Sequence, residues 1–304
     1  MNGPAGGVTT EGGQGEGFRF RRLEKPEEFR QVEELCAAAW GPSTAFTVTP
    51  PWMRVLQDNG GLVLGAFADI YLAGAAVSLL GWDGTDLYHY AQLTVVRPEY
   101  QNHHLGFRLK AFQRDEVLQL GLREIRSTID PLQSRNAGLF VHRLGALPDR
   151  YLTHYFGRLD DAVHGGSETD RIRLRWRLST PSVEERLIGK LPGAAEYRDR
   201  WERSRALVET DAGETGLRVP TAVTEPTGPS AHLEVPFDLG ALQQHDPSAL
   251  RRWRHAVRDA FTAAFELGYL VDDFAIVAPE HERRSFYFLS KAPEPPAGPA
   301  VGSV

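Results

Sequence analysis

The sequence predicts an α/β (α+β) protein, and three observations carry that prediction. Apolar residues recur with a period of two in short runs and at helical spacing in longer ones, in the order strand, helix, helix, strand, strand, strand, helix, strand. At the centre of this series, Asp86–Leu120 reads as an apolar strand (Leu87 to Val96), a Pro-initiated turn (Arg97 to Tyr100), a polar loop (Gln101 to His104) and a helix from about Leu105-Gly106. A second strand, helix and strand follow near the C-terminus.

Each element has a local reason. Phe18–Leu23 reads as a strand and Pro26–Trp40 as a helix: Pro26 suits its first position, Glu27 and Glu28 its first turn, and Phe29, Val32, Cys36 and Ala39 recur at helical spacing. A short helix follows Pro50-Pro51. Leu62–Ala68 and Tyr71–Leu80 form a hairpin about Asp69, and the Asp83-Gly84 turn leads into the central strand. Beyond the central helix, Leu122–Ile129 is a strand ending in Asp130-Pro131, and Asn136–Leu144 is helical, stopping at Gly145. Arg171 opens a further strand, with Arg173 and Arg175 on the same alternating face. Residues 180–207 read as helical pieces and Glu209–Ser230, rich in Gly, Pro and Thr, as a linker or long loop. Then come a strand (Ala231–Val235), a long helix opened by Asp246-Pro247 and closed at Gly268, and two strands (Tyr269–Val277 and Ser285–Leu289).

Composition narrows the function. The 304 residues are 41% hydrophobic with no apolar run of membrane-spanning length, so a soluble protein without membrane association is expected. A net charge of −6 and the lack of any recognisable motif argue against nucleic acid as a partner. The single cysteine, Cys36, lies on an apolar helix side, which excludes a disulfide within the chain and reads as a buried thiol; no metal is expected. Residues 1–16 are Gly-rich and lack the pattern of a signal peptide, so they read as a tail on a cytoplasmic protein, matched by a second tail at 291–304.

A strand passing into a helix through so short a loop leaves backbone N–H groups at the helix start aimed at one spot, and such a spot attracts phosphate. Within it, Val96, Pro98, Gln101 and Gly106 in Val96-Arg97-Pro98-Glu99-Tyr100-Gln101-Asn102-His103-His104-Leu105-Gly106 resemble the V-x-P-x-x-[RQ]-x-x-G-x-[GA] signature of the GNAT superfamily of N-acyltransferases. The resemblance implies a GNAT fold, a mixed central sheet flanked by helices, and a loop (Gln101, Asn102, His103, His104, Leu105, Gly106, Phe107) whose amides hold the pyrophosphate of acyl-CoA. His104 stands where the family has its middle glycine, so the loop must accept a side chain at a position suited to left-handed backbone, at a cost of roughly 1 kcal/mol. The segments LKAFQRDEVLQLGL, STIDPLQSRNAGLF, LGALPDRYLTHYFG and TDRIRLRW resemble a longer bacterial branch, some members of which are associated with N-succinylation of amino acids.

The resemblance also implies roles. A backbone N–H at Val95 or Val96 would meet the oxyanion, and Asn136 would contact the pantetheine arm, against the alternative that it caps its helix. The family's tyrosine acid is replaced by Val141. His89 and Gln92 lie on the central strand that delivers the base in this fold, with Tyr88, Tyr90 and Gln92 on one face and His89, Ala91 and Leu93 on the other. Asp130 is a further base candidate, or turn chemistry before Pro131. Tyr151 is a candidate acid, or packs against the sheet. Arg171 would hold an acceptor or succinyl carboxylate with its planar fork, or pair locally with Asp170.

The expected organisation is therefore a tail (1–16), a GNAT acyltransferase domain (17–178), a helical segment and linker (179–230), a C-terminal strand-helix-strand region (231–290) and a tail (291–304). The C-terminal region reads as a partial GNAT-like copy extending the first sheet, without a phosphate loop, and shapes an acceptor pocket or a homodimer interface. Arg251, Arg254 and Arg258 make a stripe on its long helix that reads as a solvated face, an acidic-acceptor wall or a dimer contact. Two functions follow: transfer of an acyl group from acyl-CoA (acetyl-CoA or succinyl-CoA) to the amine of a small amino-acid-like acceptor, or a catalytically weak acyl-CoA-binding or regulatory module.

Overall fold

The structure is a computed structural model and describes residues 17–41, 47–159, 168–279 and 282–291. Both expected tails lie outside the described residues, except that Lys291 ends a strand instead of opening the second tail. The fold is α/β, with a mixed sheet flanked by helices. The chain divides into two compact units with the boundary between Arg126 and Ser127. Described residues 17–126 and 159 fall in the first, and 127–158 and 168–291 in the second.

The first unit runs β1 (Phe18–Arg22), α1 (Pro26–Trp40), α2 (Pro50–Asp58), β2 (Leu62–Ala68), β3 (Tyr71–Trp82), β4 (Leu87–Val96), a 3-10 turn at Pro98–Tyr100, α3 (Leu105–Gln119) and the start of β5 (Glu124–Ile129). Strands β1 to β4 pair antiparallel in chain order. Strand β5 pairs parallel with β4 at His89↔Ile125 and Tyr90↔Arg126, which makes the sheet mixed. Leu93 and Val95 of β4 pack with Phe29, Val32 and Cys36 of α1 and Met53 of α2 in one buried cluster. Burial raises the Cys36 thiol to about 12, as suits an inert core residue. The opposite face receives α3, whose Leu105 and Leu109 lie over Gly74, where a Cβ would meet Val95 O of the neighbouring strand at 3.1 Å. Helices thus cover both faces of the strands that lead into the loop after β4.

The second unit begins with a helical turn, α4 (Ser134–Ala137), continued by a π-helical turn at Gly138–Arg143. It continues with β6 (Leu147–Leu152), β7 (Arg171–Arg177), α5 (Pro181–Leu187), α6 (Ala194–Arg203), β8 (Arg205–Ala206), β9 (Val208–Ala212), β10 (Arg218–Val223), β11 (Ser230–Val235), α7 (Leu239–His245), α8 (Pro247–Glu266), β12 (Tyr269–Val277) and β13 (Arg284–Lys291). Asp246 caps α8 by accepting from Ala249 N at 2.8 Å. Ala249, Leu250, Trp253, Val257, Phe261 and Ala264 form the buried side of α8.

Three expectations need correction. The segment 209–230 is not a linker: β9 and β10 pair antiparallel, with Gly213 and Gly216 forming the turn and Val208 and Thr210 buried. The C-terminal strands do not extend the first sheet; β12, β13, β11 and β8 form a four-stranded sheet of their own. Strand β6, antiparallel to β7, was missed, because Pro148 and the Arg-Tyr pair after it mask the alternation.

Candidate functional site

In the first unit the loop after β4 is shaped by its backbone. Tyr100 N donates to Arg97 O at 2.9 Å and Gln101 N to Pro98 O at 3.2 Å, which closes the Pro-initiated turn. The Tyr100 ring stands edge-on to Phe18 at 5.6 Å and anchors it. Gln101 folds back on the strand end, its Nε2 donating to Val96 O at 3.2 Å. Asn102 and His104 both adopt left-handed backbone, with φ of 69° and 56°. His104 is therefore the residue the motif would make glycine, and it carries the strain a glycine would not.

His104 is also the N-cap of α3, and it gives no side-chain capping hydrogen bond. The N–H groups of Leu105 and Gly106 have no acceptor within the helix by geometry alone, and they lie at the positive end of its dipole. Leu105 is 1% exposed and reaches into the core near Gly74, so it can offer only backbone. His103 and His104 are exposed, while Gly106 and Phe107 are half-buried. The arrangement is suited to an anionic group carrying several oxygens.

The end of β4 separates Val95 from Val96. Arg97 N donates to Ala73 O at 2.8 Å, so antiparallel alternation turns the Val95 N–H toward β3 and the Val96 N–H away from it. Val95 is corrected accordingly: its amide faces the sheet and its side chain is 2% exposed in the core. Gln92 occupies a β-bulge, because Val77 pairs with Leu93 and Ser78 with Ala91. Such a bulge re-aims the strand next to it, and no residue type in the sequence announced it.

His89 does not stand as an exposed base. It is 0% exposed, its Nδ1 lies 3.0 Å from Ser78 Oγ, and burial lowers its pKa to about 4. A histidine this far from solvent stays neutral near pH 7, but no acceptor amine could reach it without opening the sheet.

In the second unit Asp130, Tyr151 and Arg171 belong to one ionic network. Asp130 accepts from Arg254 Nη1 at 2.6 Å and Nη2 at 2.9 Å, with Arg171 Nη1 at 3.8 Å. It also accepts from Leu132 N at 2.9 Å, which is the turn chemistry of an aspartate before proline. Burial opposes ionisation of Asp130, yet Arg254 and Arg171 hold its pKa below the usual value, so it is a poor base. Tyr151 donates to Asp170 Oδ2 at 2.7 Å, and burial and that carboxylate push its pKa up. Its ring packs on Phe261 of α8 at 5.7 Å.

Arg171 is 6% exposed and donates to Asp170 O at 3.1 Å, which leaves it placed for local pairing instead of a substrate carboxylate. Asn136 is the third residue of α4, whose N-cap is Gln133; the capping alternative is therefore excluded. Val141 is fully buried.

The pairing that completes the network was not foreseen. Arg258 holds Asp170 through Nε at 2.8 Å and Nη2 at 3.0 Å and also donates to Glu168. Of the stripe of Arg251, Arg254 and Arg258, the last two are thus paired, Arg254 being 7% exposed, while Arg251 is exposed. The signal of the pairing was present: arginines four residues apart, one turn from an apolar stripe, with an Asp-Pro and a Glu-Thr-Asp elsewhere to receive them. Donor atoms of His154, Glu168 and Asp170 lie within 4.8 Å of one another, the spacing of a metal site. The Arg258 guanidinium already supplies positive charge to both carboxylates there.

Among the described residues no helix is long and apolar enough to cross a membrane. No family model matches the chain. No curated protein matches it either. Among solved structures it is similar to the ribosomal-protein-S18-alanine N-acetyltransferase from Escherichia coli, at 17% identity over 54% of this chain and 95% of that one, with a TM-score of 0.44. It is similar to an acetyltransferase of the GNAT family from Streptococcus pneumoniae, at 16% identity over 52% of this chain and 98% of that one, TM-score 0.42. A third likeness is to yncA of Salmonella typhimurium with its cofactor acetyl-CoA, at 20% identity over 54% of this chain and 96% of that one, TM-score 0.42.

Proposed function

We propose that this chain is an acyl-CoA-dependent N-acyltransferase of the GNAT type, which moves an acetyl or succinyl group to the amine of a small amino-acid-like acceptor. The observation that carries the reading is the loop from Arg97 to Gly106: a strand end, two left-handed residues and a helix start without a side-chain cap, in a sequence that keeps Val96, Pro98, Gln101 and Gly106. A pyrophosphate fits such a cradle because its oxygens accept from several backbone N–H groups at once. Gln101 would keep the strand end and the loop in register through its bond to Val96 O. Asn136 remains the residue proposed for the pantetheine arm.

The work left for the chain is modest. An amine loses a proton and attacks the thioester carbonyl carbon; the C–S bond then breaks and the thiolate departs with a proton. Holding both reactants in place supplies several kcal/mol of the barrier. The Val96 N–H, turned away from β3, is the donor proposed for the oxyanion, worth about 3 kcal/mol when preorganised. With His89 buried and Asp130 and Tyr151 held in ion pairs and hydrogen bonds, the proton would leave through water, with Gln92 on the bulge of β4 as the side chain proposed to hold that water.

That same burial favours a second reading, a catalytically weak acyl-CoA-binding module. Thiol release measured with acetyl-CoA and succinyl-CoA against a panel of amino acids and related amines separates the two. The enzyme reading expects N-acyl product equal to thiol released for at least one amine. Coenzyme binding with no product from any amine would leave only the binding module.

A further inference from the structure

A cavity of about 150 Å³ opens in the second unit, built by the β9–β10 turn, β11, α7, α8 and β13. None of the coenzyme-loop residues lines it. Its apolar walls are Leu242 and Trp253, both buried, with the half-exposed Phe237 at its rim. The Trp253 indole N–H is already given to Arg218 O at 2.9 Å, so the ring offers the cavity only its apolar surface. A cavity of this size holds one benzene-sized ring.

The charged lining has a defined polarity. Glu234 is 2% exposed and accepts from Thr210 Oγ1 at 2.7 Å and from Arg284 Nε at 2.8 Å. Asp238 caps α7 by accepting from Ala241 N at 2.9 Å. The buried carboxylate of Glu234 is thereby engaged on both oxygens, while Asp238 stands exposed at the rim and is engaged through Oδ1. The arginines are engaged unequally. Arg218 gives Nε to Thr210 Oγ1 at 2.9 Å and Nη2 to Thr210 O, while Nη1 is met by Glu282 Oε2 at 3.1 Å. Glu282 is the outlier, with its side chain 50% exposed. Two guanidiniums, of Arg218 and Arg284, face one buried carboxylate, Glu234, and the excess charge is balanced by this half-solvated glutamate. An ion pair with a half-exposed partner is worth little, so another anion can compete with Glu282 for Arg218. Arg283 adds a third cation, at the rim, 5.1 Å from the Phe237 ring centre.

We propose that this cavity binds a small carboxylate with an apolar body of one-ring size, the carboxylate taking the place of Glu282 on Arg218 and the body resting on Leu242, Trp253 and Phe237. The site lies wholly in the second unit and stands independently of the acyl-transfer reading.

Phenylacetate is the probe, titrated into the full chain by calorimetry beside its neutral amide, phenylacetamide, and beside acetate, which lacks the ring. Phenylacetate is expected to bind at least tenfold more tightly than either. Glu282→Gln removes the competing carboxylate from an exposed position and is expected to tighten phenylacetate several-fold, while Phe237→Ala weakens it several-fold. Equal binding of acid and amide would overturn the proposal, as would absence of heat at millimolar phenylacetate in the parent and in Glu282→Gln alike. Unchanged or weaker binding in Glu282→Gln would overturn the exchange at Arg218. Acyl transfer assayed in Glu282→Gln is expected to match the parent, since that residue is remote in sequence from the coenzyme loop.

Discussion

The loop after β4 and the ionic network around Asp130 are built in opposite ways. The loop is made from backbone: its shape comes from left-handed Asn102 and His104, and its attraction for anions from N–H groups at the start of α3. The network is made from side chains, and each charge in it has a partner, Asp130 with Arg254 and Asp170 with Arg258. A site prepared for a ligand keeps polar groups directed at the place the ligand will take, whereas a structural network spends them internally. The comparison teaches that ionisable residues close to a motif in sequence are poor evidence of catalysis until their partners are known.

If the network is structural, breaking it should cost stability. Arg254→Leu would leave Asp130, a side chain 18% exposed, with Arg171 at 3.8 Å as its remaining cation, and is expected to cost up to about 3 kcal/mol, read as a lowered midpoint in chemical denaturation. A shift below 1 kcal/mol would mean that the pair contributes little and that Asp130 is freer than its two short bonds imply.

A smaller effect concerns His89, which the sequence offered as a base and the structure buries. Its folded pKa of about 4 lies below the ordinary 6.5, so the unfolded chain takes up a proton between those values and the folded chain does not. Stability therefore falls as pH drops from about 6.5 toward 4, by on the order of 1–3 kcal/mol for this group. His232 of the second unit is lowered to about 4 as well, chiefly by burial. Denaturation at pH 6.5 and 4.5 should show a shallower loss in His89→Leu than in the parent. An identical pH slope would show that His89 is protonated, or solvated, in the folded protein.

Tyr151→Phe sharpens the contrast further. Losing the hydroxyl that donates to Asp170 is expected to cost about 1 kcal/mol of stability. Acyl transfer should stay within about twofold of the parent; a fall of a hundredfold, of the size seen when a general acid is removed, would return Tyr151 to the chemistry.

The least effect is expected at His104. Replacing a left-handed residue by glycine relieves roughly 1 kcal/mol of strain, part of which is offset by the freer unfolded chain. His104→Gly should change stability by less than about 1 kcal/mol and leave coenzyme affinity equal or improved. Weakened binding would mean that the imidazole itself contacts the phosphates.

How much of this was legible follows from what each signal depends on. Helix α1 was readable to its ends because Pro26, the first-turn glutamates and the apolar spacing are all local. The loop was readable for the same reason, since a strand, a turn and a helix start are adjacent in the chain. Other features depend on distant partners and left no local mark. The bulge at Gln92 exists only relative to β3, and the pairing of Arg254 with Asp130 spans 124 positions. The β9–β10 hairpin was hidden by its own glycines, which read as a loop until Val208 and Thr210 found a core to enter. His89 was correctly placed on the face opposite Tyr88 and Tyr90, but alternation alone does not say which face meets a cleft.

The most direct test of the central claim is calorimetric titration of the purified chain with acetyl-CoA and, separately, succinyl-CoA, repeated on Gly106→Glu. A glutamate at the second position of α3 suits the helix dipole and should leave the fold intact, while its charge occupies the place proposed for pyrophosphate. The account predicts micromolar binding in the parent and a loss of a hundredfold or more in the variant, with thermal stability unchanged. No heat from either coenzyme in the parent, or equal binding in Gly106→Glu, would contradict it.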